Sequence, residues 1–109
     1  SLISPFTPTA KDERTQNFVK NFTAKYDKAY LNQFGADAYD AIYIIKAAME
    51  KANVTADMDA SAICDALKVA MTQITFTGVT GTDITWGADG EPVKKPIAVK
   101  IVNGEYVVM

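Results

Sequence analysis

The stretch Gln33-Phe34-Gly35-Ala36-Asp37-Ala38-Tyr39-Asp40-Ala41-Ile42-Tyr43-Ile44-Ile45-Lys46-Ala47-Ala48-Met49 decides how the chain is read. Asn32-Gln33-Phe34-Gly35 interrupts the pattern that precedes it, and a helical run is predicted from Ala36 to Ala52, ended by Asn53. Ala38, Ala41, Ile42, Ile44, Ile45, Ala48, Met49 and Ala52 make this run apolar around most of its circumference, so it is expected to lie buried between other elements. Its alanines would let a neighbour approach closely.

Upstream, Phe18, Val19, Phe22 and Tyr26 recur at three- and four-residue steps among Lys, Asn and Asp, which predicts an amphipathic helix over 11–28. Thr9 with Asp12 resembles a capping box for it. Residues 1–11, with Pro5 and Pro8, read as an extended lead-in. Downstream, a third helix starts after Asp57 or Asp59 and places Ile63, Leu67, Ala70 and Met71 on one face and Ser61, Asp65, Lys68 and Thr72 on the other. The period then shortens to two. Residues 82–86 fit a short strand, 88–92 a turn, and 97–102 an alternating strand that Asn103-Gly104 folds back through a type I′ turn onto Tyr106–Val108. The fold class is α/β: three helices, a short strand and a C-terminal β-hairpin.

At 109 residues the chain suffices for one domain, and with 49% apolar and 22% charged residues it is expected to fold around a core. Eleven basic against thirteen acidic side chains leave a net charge of −2, without the basic stripe that a nucleic-acid partner requires. No histidine is present, which removes Ser-His-Asp and Cys-His catalysis and imidazole zinc sites within this chain. Cys64 has no second cysteine to pair with and is expected to be a small buried hydrophobe. No stretch approaches a membrane span, and the opening Ser1-Leu2-Ile3 is that of a processed chain or a piece of a longer one.

Asp37 and Asp40 stand three apart and could act as an acid and base pair, but nothing else converges on them, and acidic residues are favoured in a first helical turn by the helix dipole alone. Gly78-Val79-Thr80-Gly81-Thr82 lacks the Gly-Lys-Ser/Thr ending of a phosphate loop, so its glycines are assigned to a tight turn. The series Phe18, Phe22, Tyr26, Tyr30 has the spacing of core packing and not of a stacking platform.

Three segments in order, Phe18-Val-Lys-Asn-Phe-Thr-Ala-Lys-Tyr26, Gln33-Phe-Gly-Ala-Asp-Ala-Tyr-Asp-Ala41 and Phe76-Thr-Gly-Val-Thr-Gly81 leading to Ile84-Thr-Trp86 and Asp89-Gly90, resemble the C-terminal third of a type I periplasmic solute-binding protein of the branched-chain amino acid class. Such a protein is the receptor component of an ABC importer, with two α/β lobes joined by crossing strands and a ligand cleft that closes by hinge motion. Two positions depart from the family pattern: Asp27 and Gly87, where a Gly and an acidic residue are usual.

The resemblance implies the second of the family's three hinge crossings at 1–8, the helical part of the first lobe at 9–85, the third crossing at 86–92 and strands of the second lobe at 93–109. It also implies that the loop and helix start around Gln33, Phe34 and Asp37 face the cleft, Phe34 as part of an apolar pocket wall. The alternative for Phe34 is a staple packed on its own helix. No catalytic residue, metal ligand or cofactor carries over. The implied partners are an amino acid or similar small polar solute and an ABC permease. The implied setting is periplasmic, or that of a cell-surface lipoprotein. A small-molecule-sensing domain of a receptor or regulator with the same fold is the alternative function. Because much of the family's sheet is absent, the chain by itself is expected to form a homodimer through the second helix or by exchange of its hairpin.

Overall fold

The computed structural model describes residues 1–109. Three helices form one body, and a three-stranded antiparallel sheet built from both chain ends forms the other. Helix α1 (Glu13–Lys25) is capped by Asp12, whose carboxylate accepts the Thr15 backbone N–H at 3.0 Å and the Thr15 hydroxyl at 2.8 Å. The predicted Thr9–Asp12 capping box is therefore corrected: the Thr9 hydroxyl donates instead to the Tyr106 carbonyl. A 3-10 turn (Lys28–Tyr30) leads to α2 (Gln33–Lys51).

Helix α2 starts earlier than its pattern predicts. Asn32 is its N-cap, accepting the Gly35 N–H at 3.0 Å, so Gln33, Phe34 and Gly35 are the first turn and not an interruption. Asn53 follows its end with φ +52°, the left-handed conformation that stops a helix. Helix α3 (Ala60–Met71) is capped by Asp59 and presents the predicted face: Ala70 is buried, and Ile63, Leu67 and Met71 are half-buried.

Past α3, the bridge Phe76–Ile84 closes a loop, and β2 (Thr85–Trp86) pairs antiparallel with β3 (Pro92–Val93). The sheet contains β1 (Leu2–Ser4), β4 (Ile97–Val102) and β5 (Glu105–Val108) in the order β1-β4-β5. Asn103 and Gly104 both take positive φ, +51° and +81°, as the type I′ turn requires. The lead-in is thus a strand: Ile3 stands opposite Ala98, and β4 is the central strand.

The core is small. Phe6, Phe18, Ala36 and Val79 form it, with Val19, Phe22 and Leu31 packed around them, and Phe6 meets Phe18 edge-on at 5.7 Å between centroids. The molecule measures 52 × 30 × 20 Å with a radius of gyration of 16.1 Å, against roughly 13 Å for a compact chain of this length.

That extended shape corrects two expectations. Helix α2 is not buried all round: Ala36, Asp40 and Ala48 face inward, while Ile42 is 68% and Ile45 47% exposed, because neighbours cover only one side. Cys64 is exposed on α3, among the exposed residues Ser61, Asp65 and Lys68.

Candidate functional site

The start of α2 stands where the helical body meets the sheet. Gln33 lines a cleft of about 160 Å³ with Leu2, Ser4, Val99 and Tyr106, between β1, β4 and β5. Asp37, one turn on, is half-exposed and lies 3.9 Å from the Lys94 ammonium. Phe34 is 72% exposed, which sets aside the reading of its ring as a packed staple. The three residues occupy one helical turn without converging on one cavity.

Asp40, three residues on from Asp37, is 2% exposed and does what its spacing from Asp37 does not suggest. Its carboxylate accepts the backbone N–H groups of Val79 (3.0 Å) and Thr80 (2.8 Å) and the Thr80 hydroxyl (2.6 Å). The 78–81 loop closes on itself as well, Gly78 N–H donating to the Gly81 carbonyl at 2.9 Å. The loop is tight as expected and is clamped to α2, but Gly78 and Gly81 serve close approach and not a left-handed turn: a Cβ at Gly78 would collide with Asp40, and one at Gly81 would crowd Ile84 at 3.1 Å.

Charge-assisted hydrogen bonds of this kind are worth about 1.5–3 kcal/mol each when buried, so the loop is fixed against the helix. Lys94 donates to Thr80 Oγ1 at 3.1 Å, which joins the clamp to Asp37. Neither Lys94 nor the anchoring role of Asp40 carries a local sequence signal, since the partners lie far apart in the chain.

On the opposite flank, Arg14, Tyr39, Asp40, Tyr43 and Phe76 line a cavity of about 260 Å³ that none of the three candidates reaches. Tyr39 packs on Phe18 (4.8 Å) and on Tyr43 (5.1 Å). Its phenol titrates above the usual 10.0, through the Tyr43 hydroxyl first and burial second. The aromatic series is core packing only in its first half: Phe18 meets Phe22 at 5.9 Å and Phe22 meets Tyr26 at 5.2 Å, but Tyr26 and Tyr30 are 60% and 71% exposed past the end of α1, which corrects the expectation for those two.

Two hydroxyls and an ion pair tie the sheet to the helical body. Thr7 donates to the Tyr106 carbonyl at 3.2 Å beside the Thr9 contact, and Lys28 lies 3.7 Å from Glu105.

The family described as "Periplasmic binding protein" matches residues 1–105. The solved structure of an ABC transporter substrate-binding protein from Desulfitobacterium hafniense is similar in fold, with a TM-score of 0.72 at 22% identity over 95% of this chain. The match covers 29% of that protein's length. No curated protein matches the chain.

Proposed function

Because the chain belongs to the periplasmic binding protein family, we propose that it is the C-terminal part of an extracytoplasmic solute receptor that binds without catalysis and delivers its solute to the permease of an ABC importer. The solute is a branched-chain or similar amino acid. In this reading residues 1–8 and 86–92 are hinge crossings, 9–85 belong to the first lobe and 93–109 to the second. The receptor works in the periplasm or as a lipoprotein on the cell surface.

Phe34 carries the reading. A phenylalanine 72% exposed in the first turn of a helix contributes little to the fold, and it stands beside the polar side chains of Gln33 and Asp37. An apolar ring with a few polar groups around it is what a small solute with charged ends needs from one wall of a cleft. The ring supplies contact area, Gln33 supplies hydrogen bonds, and Asp37 favours a cationic group.

One wall does not enclose a ligand. The 109-residue chain is therefore expected to bind leucine, isoleucine and valine weakly or not at all, and a longer protein that includes it to bind one of them with a low-micromolar dissociation constant. Isothermal titration of both decides the matter: low-micromolar binding by the 109 residues alone, or none by the longer protein, overturns the proposal. In the isolated chain a second copy covers the apolar side of α2.

A further inference from the structure

From Gly87 to Pro96 every residue is exposed except Lys94. This run contains β3 and leads into β4, so it is one of the two covalent connections between the helical body and the sheet. The Lys94 stem packs over Gly81, its Cβ 3.6 Å from where a Gly81 Cβ would stand. Its ammonium reaches Thr80 Oγ1 at 3.1 Å and Asp37 Oδ1 at 3.9 Å.

The direction of each bond is fixed by chemistry. The single Thr80 hydroxyl proton goes to Asp40 Oδ2 at 2.6 Å, so the hydroxyl can only accept from Lys94. The post it grips is rigid, since Thr80 is 1% and Asp40 2% exposed. The other ion pair between the bodies, Lys28–Glu105, has side chains 71% and 63% exposed, and such a pair contributes little. Lys94, at 27%, is screened less and has a second partner.

We propose that Lys94 is a positioning residue: it pins the connection between β3 and β4 to the first turns of α2, which holds Asp37 in place and sets the angle between sheet and helical body. The proposal rests on the reading of 86–92 as a crossing. Its test contains no solute, so its outcome is separate from that of the ligand titrations.

The exposed native thiol of Cys64 and a second thiol introduced by Lys100→Cys on β4 place one nitroxide on each body. Double electron–electron resonance on the 109-residue chain, diluted with unlabelled chain so that only intrachain distances contribute, reads the angle. A single narrow distance distribution is expected. Lys94→Met should broaden or displace it, Lys94→Arg should restore it, and Lys28→Met should leave it unchanged. A Lys94→Met distribution superimposable on that of the parent overturns the proposal. Should Lys94→Met fail to fold by circular dichroism, Thr80→Val takes its place: it removes the hydroxyl that Lys94 grips while Asp40 keeps both backbone donors, and an unchanged distribution overturns the proposal equally.

Discussion

Gly78 stands so close to Asp40 that a Cβ at position 78 would fall 2.6 Å from the Asp40 Cγ. The glycine is required here by contact and not by backbone conformation, because its φ is not among the positive values. That closeness lets the next two peptide N–H groups converge on the carboxylate, so a charged side chain is buried without leaving its oxygens unpaired.

Removing the carboxylate leaves those donors buried and unsatisfied. Asp40→Ala is expected to cost about 3 kcal/mol or more, the range for losing charged hydrogen bonds and stranding their partners. Gly78→Ala should also destabilise, by forcing the loop off the helix. Urea unfolding measures both, with the slope unchanged and the midpoint lowered. A loss below about 1 kcal/mol for Asp40→Ala would mean that the clamp is incidental.

The α1 cap makes a prediction about acid. Burial pushes the Asp12 carboxyl up, but the Thr15 N–H and hydroxyl bonded to it outweigh this and hold it below the usual 3.8. The folded state therefore binds the proton less readily than the unfolded chain. Its contribution is complete above 3.8 and lost as the pH falls through the lower folded value. Asp12→Asn keeps a capping oxygen and removes the titration, so its stability should fall less steeply between about pH 5 and pH 2 than that of the parent. Parallel acid limbs in the two chains would contradict the assignment.

The outer side of α2 carries Phe34, Ala38, Ala41, Ile42, Ile45 and Met49, all exposed and all apolar. A stripe of this length on a chain with so small a core calls for a cover. In the isolated chain a symmetric dimer supplies it, and light scattering after size-exclusion chromatography should give about twice the 11.8 kDa monomer mass at tens of micromolar. Ile42→Glu with Ile45→Glu should return the chain to monomer mass. A monomer without those substitutions counts against the dimer.

Local signals in the sequence are sound where the residues involved are neighbours. The three- and four-residue steps of Phe18, Phe22 and Ile63, Leu67 mark the inner faces of α1 and α3, and Asn103-Gly104 marks the hairpin. They fail where the partner is distant. Ile3 pairs with Ala98, and nothing in Ser1–Ser4 distinguishes that strand from a lead-in. Asp40 looks like an acidic residue near a helix start until Thr80 is folded onto it. Gly35 reads as a breaker because the cap that absorbs it, Asn32, uses a side-chain bond instead of a periodic position. At the candidate site, Phe34, Gln33 and Asp37 could be named from a resemblance, but Lys94 could not, since its meaning depends on a hydroxyl oriented by Asp40.

The most direct test of the account is Phe34→Ala in a longer protein that contains these 109 residues, with affinity for leucine, isoleucine and valine measured by calorimetry and the melting temperature measured beside it. The ring is 72% exposed in the 109-residue chain, and if it faces the cleft of the longer protein the melting temperature is expected to be unchanged and the affinity weakened by about 1–3 kcal/mol, the value of burying such a side chain against ligand. Unchanged affinity together with a melting temperature lowered by several degrees would contradict it.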